Sequence, residues 1–144
     1  MRKVEAGIQI NVSPRKVFNA FIEYKMLSEW WGVQKMFVQE KDGGVYTLTW
    51  NNSHNGFGYV FSGIIAKYRP NELLQLEQIV YLNPERPILG PMSLLIKIDA
   101  GDDFSVLSVC QSGYREGKDW DWYYEAVKSS WPVVLNTIKQ YLEK

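Results

Sequence analysis

The sequence predicts an α+β fold, in which a curved antiparallel sheet wraps around one long C-terminal helix. Between residues 33 and 113, short runs of alternating apolar and polar residues are separated by turn signals such as Asp42-Gly43-Gly44. Such alternation is typical of strands that follow one another in a meander. Large apolar residues then recur every three or four positions up to Leu142, which indicates a helix. This helix is expected to cover one face of the sheet, because no other element is long enough to do so.

One strand and two short helices are predicted before the meander. Residues 4–12 alternate loosely and indicate a strand. Ser13-Pro14 marks a helix start, because the serine side chain can cap the first turn and proline needs no amide partner at the first helical position. Apolar residues follow at helical spacing up to Ile22. A second short helix is predicted over residues 23–31 and ends at Gly32.

The meander is predicted to contain six strands, separated by turns that are polar or contain glycine or proline. These strands are residues 33–40, 45–50, 57–68, 73–81, 92–98 and 104–111. Residues 83–91 form a proline-rich loop, which we expect to be the least constrained segment of the chain. His54 lies in a polar hairpin loop, where exposure to solvent is the simplest expectation.

The terminal helix has the clearest pattern in the chain. Its apolar stripe consists of Trp120, Tyr123, Tyr124, Val127, Trp131, Val134, Leu135, Ile138 and Leu142. Asp119 and Asp121 favour its N-terminal turn through the helix dipole. Pro132 is expected to interrupt the helix or bend it, because proline removes one backbone hydrogen bond.

Length and charge exclude several classes of protein. The 144 residues fit one domain, residues 1–144, and are enough for a core of its own. The chain has 16 Lys plus Arg and 16 Asp plus Glu, so its net charge is near zero. Without an excess of positive charge, we do not expect a nucleic-acid-binding protein. The sequence contains no run of 18 apolar residues, so we expect no membrane-spanning helix. The lone Cys110 suits a reducing compartment, and we therefore expect a cytoplasmic protein.

Aromatic residues are the unusual part of the composition. They make up 15% of the chain, with six Trp and nine Tyr, and many fall on faces that should meet. Tyr and Trp carry polar groups that need partners when buried, so such an interior suits a pocket for a small ligand. The adjacent Trp30 and Trp31 cannot both enter one core easily, since helical neighbours point about 100° apart. We expect one of them to pack beneath the pocket and the other to border its mouth.

The sequence contains no pattern that predicts catalysis. A single histidine excludes a His-rich metal site, and Cys110 has apolar neighbours, which favour an inert thiol. We therefore predict no catalytic residue, no metal and no cofactor. An enzyme of the cyclase or hydrolase type stays the last-ranked alternative, because it would need a buried acid or a polar triad in the pocket.

Several segments together resemble a known family. They are SPRKVFNAF, WWG, GGVY, SGIIAKYRPNELL and the final WDWYYEAVKSSWPVVLNTIKQYLEK. In this order they resemble the homologues of the activator of the heat-shock-protein-90 ATPase, within the START-like (SRPBCC) superfamily. The resemblance covers nearly the whole chain and implies a helix-grip fold with a hydrophobic cavity between sheet and terminal helix. It does not settle the function, because this superfamily includes carriers, enzymes and co-chaperones.

We therefore expect a small-molecule-binding protein that holds an apolar or amphipathic ligand between sheet and terminal helix. An interaction module for a heat-shock ATPase is the alternative, since the family name implies a chaperone as partner. The chain is expected to be a monomer or a homodimer. Any single aromatic is more often a packing residue than a ligand contact. The predicted ligand-binding residues are Trp31, Trp50, Tyr59, Phe61, Leu76, Leu94, Tyr124, Val127 and Trp131.

Overall fold

The computed structural model describes residues 2–54, 56 and 58–144, and within them seven strands form one antiparallel sheet. The strands are β1 Lys3–Ile10, β2 Lys35–Val38, β3 Val45–Trp50, β4 Tyr59–Arg69, β5 Leu73–Leu82, β6 Leu89–Ala100 and β7 Ser105–Ser112. Their order across the sheet is β1-β7-β6-β5-β4-β3-β2. The helices are α1 Pro14–Asn19, α2 Tyr24–Trp30 and α3 Lys118–Leu142. This arrangement confirms the predicted helix-grip fold.

The two short helices begin and end where local chemistry requires. The Ser13 hydroxyl accepts a hydrogen bond from the Lys16 amide at 3.4 Å, and Pro14 occupies the first helical position. Helix α2 is followed by Gly32, whose φ of +73° lies in the left-handed region that glycine tolerates best. Together they connect β1 to β2, which lie at opposite edges of the sheet, and both helices bury apolar side chains in the core.

The sheet bends at irregular pairings between β4 and β5. Its register shifts between Ser62 and Ile64, and Gln78 adopts a φ of +54° beside another shift in β5. Such bulges increase twist and let a sheet curve. Gly63 permits the close approach there, since a Cβ at this position would lie 2.8 Å from Cγ1 of Ile79. The sheet therefore presents a concave face to the terminal helix.

Helix α3 runs alongside β1 in the same direction. Near its start, Asp121 accepts a hydrogen bond from Arg2 at 2.7 Å, and near its end Lys139 donates to the Gln9 carbonyl at 2.7 Å. The helix continues through Pro132 without a break. Pro132 is exposed, so its ring meets solvent and not the core. The expected interruption is thus limited to one missing backbone hydrogen bond.

Several strand boundaries differ from the sequence prediction by one to three residues, and two of these differences lie next to the proline-rich loop and the hairpin loop. Strand β6 begins at Leu89, earlier than expected, because Leu89 pairs with Tyr81 across the sheet. This pairing shortens the proline-rich loop to residues 83–88. Strand β4 begins at Tyr59, and Phe57, which the sequence places in this strand, lies outside the described residues. Among the residues that are described, no helix combines the length and apolarity that a membrane crossing needs.

Candidate ligand-binding cleft

A cleft of about 490 Å³ lies between the N-terminal half of α3 and the concave face of the sheet. Most of its wall is aromatic. The aromatic lining residues are Trp31, Trp50, Tyr59, Phe61, Tyr81, Trp122, Tyr123 and Trp131. In the C-terminal half of α3, Leu135 and Ile138 are buried against the core. The cleft therefore occupies only the part of the interior that α3 does not fill.

Tryptophans form one side of the cleft. The Trp31 ring lies 5.3 Å from Trp50 and 6.3 Å from Trp131, measured between ring centroids. The Trp50 indole donates to the Trp31 carbonyl at 3.0 Å, which ties β3 to the end of α2. Trp30 stacks beneath Trp31 at 4.8 Å and is buried, and its indole donates to the Ala20 carbonyl at 2.8 Å. The adjacent tryptophans thus divide between core and cleft.

Three tyrosines form a second group of rings in the cleft wall. The rings of Tyr59 and Tyr81 are nearly parallel, 6.3 Å apart, and Tyr81 stacks in turn on Tyr123 at 6.1 Å. Burial raises the pKa of Tyr81, and the neighbouring Tyr59 raises it further. Burial also raises the pKa of Tyr123 to about 12. Tyr81 and Tyr123 therefore stay protonated and uncharged at neutral pH.

A buried glutamine connects the sheet to α3 at the cleft. Gln111 on β7 is 3% exposed, and its Oε1 accepts a hydrogen bond from the Trp131 indole at 2.9 Å. Its Nε2 donates to the Tyr123 hydroxyl at 3.3 Å. Buried polar groups need such partners, because an unpaired group costs about 1–3 kcal/mol. Gln111 therefore fixes the position of two aromatic side chains in the cleft wall.

Among the described residues, no charged side chain lines the cleft. Its polar lining residues are Asn51, Asn83, Gln111 and Ser130. Arg86 and Asp119 line a small adjoining pocket, and the Arg86 guanidinium lies 4.0 Å from the centroid of the Trp122 ring. No cluster of His, Cys, Asp or Glu able to hold a metal is present in the described part of the chain. An ionised group inside the cleft would therefore meet no counter-charge from the described lining residues.

Six of the predicted ligand-binding residues come together in this cleft: Trp31, Trp50, Tyr59, Phe61, Val127 and Trp131. Leu76 and Leu94 also point to the concave face, but they are 0% and 2% exposed and belong to the closed core. Tyr124 faces away from the cleft. Its ring packs edge-on against Tyr114 at 5.2 Å, with the Arg2 guanidinium 5.0 Å from its centroid.

Sequence reasoning did not assign nine of the lining residues to the site: Asn51, Tyr81, Asn83, Gln111, Trp122, Tyr123, Ala126, Ser130 and Val134. One signal for Gln111 was available, because it shares the inward register of Leu107 and Val109 on β7. A polar side chain at such a position is expected to find a partner in the interior. The choice between the neighbours Tyr123 and Tyr124 depends on how α3 is rotated about its axis, which periodicity leaves open within about one residue.

The chain matches a family model over most of its length. Residues 11–143 match the family described as Activator of Hsp90 ATPase homolog 1-like protein. No curated protein matches the chain.

Several solved structures share this fold. The solution structure of the Aha1 dimer from Colwellia psychrerythraea is 17% identical, has a TM-score of 0.74 and aligns over 99% of this chain and 97% of that one. Protein MLL2253 from Mesorhizobium loti is 22% identical, with a TM-score of 0.76 and coverage of 98% and 96%. Protein CV1439 from Chromobacterium violaceum is 17% identical, with a TM-score of 0.75 and coverage of 100% and 99%. At these identities the likeness shows the fold alone.

Proposed function

The chain belongs to the family of Activator of Hsp90 ATPase homolog 1-like proteins, and we propose that it is a small-molecule-binding protein. Its ligand would be apolar or amphipathic and would lie in the cleft between sheet and α3. The observation that carries this proposal is an aromatic cleft of about 490 Å³ in which none of the described lining residues is charged. Ligand sites typically have volumes of about 300–1,000 Å³ and mostly apolar walls with a few polar groups.

The aromatic walls supply the binding energy in this proposal. Rigid rings such as Trp31 and Tyr81 offer a large contact area and lose little conformational freedom when a ligand binds. The amides of Asn51 and Asn83 would meet the polar part of an amphipathic ligand. Arg86, which stacks on Trp122, would meet a polar group that extends out of the cleft.

The test uses N-phenyl-1-naphthylamine, an uncharged dye whose emission rises in apolar surroundings. We expect saturable binding to the purified protein. Ser130 and Ser129 are adjacent, exposed residues of α3, but only Ser130 lines the cleft. Ser130→Trp should weaken dye binding at least about five-fold, because the added ring competes for the space of the dye. Ser129→Trp is the matched control and should bind as the unchanged protein does.

Two results would contradict the proposal. The first is an absence of saturable binding by any uncharged aromatic dye. The second is equal binding by the Ser130→Trp and Ser129→Trp variants, since the dye would then occupy some other surface. Far-UV circular dichroism of both variants checks that the fold is retained.

The alternative function is an interaction module for a heat-shock chaperone. The description of the matched family names Hsp90 ATPase activation, and the similar protein from Colwellia psychrerythraea was solved as a dimer. In this alternative the chain would raise the ATPase rate of purified Hsp90, acting as a monomer or a homodimer. An unchanged ATPase rate together with saturable dye binding would favour the small-molecule function.

We further infer that residues 1–144 act as one START-like domain, because a single sheet joins the strands of the described residues and the family match spans residues 11–143. For the compartment we propose the cytoplasm, since the lone Cys110 is compatible with reducing conditions. A fluorescent fusion followed by cell fractionation would test this location.

A further inference from the structure

The orientation of the Gln111 amide is fixed by its neighbours. An indole N–H can only donate a hydrogen bond, so the atom of Gln111 that faces Trp131 must be the oxygen, at 2.9 Å. Nε2 therefore faces Tyr123, 3.3 Å from its hydroxyl. The opposite amide orientation would bring two donors together at Trp131. The assignment of Oε1 and Nε2 in Gln111 therefore follows from the Trp131 indole, which can only donate.

This orientation determines how the Tyr123 hydroxyl is used. Because Gln111 donates to it, the Tyr123 oxygen acts as an acceptor, and its own proton points elsewhere. No acceptor for that proton is found among the described residues. Burial raises the pKa of Tyr123 to about 12, so the proton is retained throughout the physiological range. Tyr123 is 8% exposed and lines the cleft. A buried donor is therefore available to a molecule inside the cleft.

The rest of the lining restricts what that molecule can be. Within the described residues, the cleft wall carries no charged group, so an ionised ligand would lose hydration without gaining a counter-charge. Two groups of rings border the cleft, Trp31 with Trp131 and the stacked Tyr59, Tyr81 and Tyr123. Aromatic faces bind flat π-systems better than bulky saturated ones.

Building on the function proposed above, we propose that the ligand is an uncharged, flat molecule with a hydrogen-bond acceptor, such as an aromatic ketone, and that Tyr123 donates its hydroxyl proton to this acceptor. Gln111 acts as a positioning residue, because it holds the Tyr123 oxygen as an acceptor and directs its proton away from β7.

Three naphthalene probes test this inference. 2-Acetylnaphthalene carries a carbonyl, 2-ethylnaphthalene replaces it with a methylene, and 2-naphthoate carries a negative charge. Tyr123→Phe removes only the hydroxyl of the donor. We expect this variant to bind 2-acetylnaphthalene about five-fold more weakly and 2-ethylnaphthalene equally well, since only the former loses a hydrogen bond. We expect 2-naphthoate to bind the unchanged protein at least about ten-fold more weakly than the ketone does.

The carbonyl itself gives a second signal. When the ketone binds the unchanged protein, its infrared C=O band should move to lower frequency than in hexane, as it does for a hydrogen-bonded carbonyl. In Tyr123→Phe the band should return toward the hexane value. A general loss of packing in the variant would weaken both neutral probes and would not restore this band.

The outcomes separate this inference from the proposed function. If neither neutral probe binds, the ligand-binding function itself fails. If both bind but Tyr123→Phe changes their affinities equally, the assigned donor is wrong while the binding function stands. Preferred binding of 2-naphthoate would overturn the requirement for an uncharged ligand. Should Tyr123→Phe not fold, an unshifted carbonyl band in the unchanged protein would still refute the hydrogen bond.

Discussion

Trp30 and Trp31 are adjacent in sequence, and we predict that Trp30→Phe mainly lowers stability whereas Trp31→Phe mainly weakens ligand binding. Trp30 is 6% exposed, and its indole donates to the Ala20 carbonyl at 2.8 Å. Trp31 is half-buried at the cleft, and its indole N–H has no hydrogen-bond partner among the described residues. One ring therefore belongs to the core, and the other lines the cleft.

The expected losses of stability follow from these contacts. Trp30→Phe removes one buried hydrogen bond, worth about 1 kcal/mol. It also leaves a gap where the second indole ring was, which costs about 1–2 kcal/mol more. The total of about 2–3 kcal/mol lowers the melting temperature by about 5–10 °C for a domain of this size. Trp31→Phe removes no hydrogen bond and less buried surface, so it should cost under about 1 kcal/mol.

Urea unfolding followed by far-UV circular dichroism measures these losses without relying on tryptophan emission, which both substitutions change. Binding of N-phenyl-1-naphthylamine is then measured under conditions in which both variants are folded. Trp31→Phe should weaken dye binding about three-fold, because aromatic contacts are lost. Trp30→Phe should stay within about two-fold of the unchanged protein. Equal destabilisation by the two substitutions, or weaker dye binding only in Trp30→Phe, would refute this division between core and cleft.

Two further predictions concern the turn before β3 and the bend in the sheet. The Tyr68 amide donates a hydrogen bond to the Asp42 carboxylate, and this bond lowers the pKa of the Asp42 carboxyl below its usual 3.8. The ionised carboxylate therefore stabilises the fold fully above pH 3.8, and this stabilisation is lost as the pH falls through the lower pKa of the folded protein. Asp42→Asn should therefore flatten the acid side of a pH series of urea midpoints, and an unchanged slope would contradict this assignment. Gly63→Ala should cost about 1–3 kcal/mol in urea unfolding, because the new Cβ meets Ile79 at 2.8 Å. Its control Gly7→Ala, whose nearest contact is 3.4 Å, should change stability little, and equal losses would argue against crowding at the bend.

Elements that depend on local chemistry were predictable from the sequence. Strand β3 has the predicted bounds, and α1 begins after Ser13 with Pro14 at its first position. The fold class and the family resemblance were likewise confirmed. Each of these features depends on residue periodicity or on side chains within a few positions, so the sequence carries them directly.

The cleft was predictable only as a region. The alternation along β5 and β6 indicated that Leu76 and Leu94 lie on the concave face of the sheet. Alternation does not indicate which part of that face α3 covers. Position along the strand decides this, and both leucines lie where the core is closed. The same limit applies to Tyr124, because the rotation of α3 against β1 decides which of two neighbouring tyrosines enters the cleft.

The sequence by itself determined which residues form strands and helices, which faces are apolar, and that the interior is rich in Trp and Tyr. Only the tertiary structure brought Gln111 on β7 within hydrogen-bond distance of Trp131 and Tyr123 on α3. The physical reason is that periodicity records contacts between neighbours along the chain. A binding cleft is instead the space that remains when separate elements pack, and its shape depends on their relative positions, to which every interface contributes.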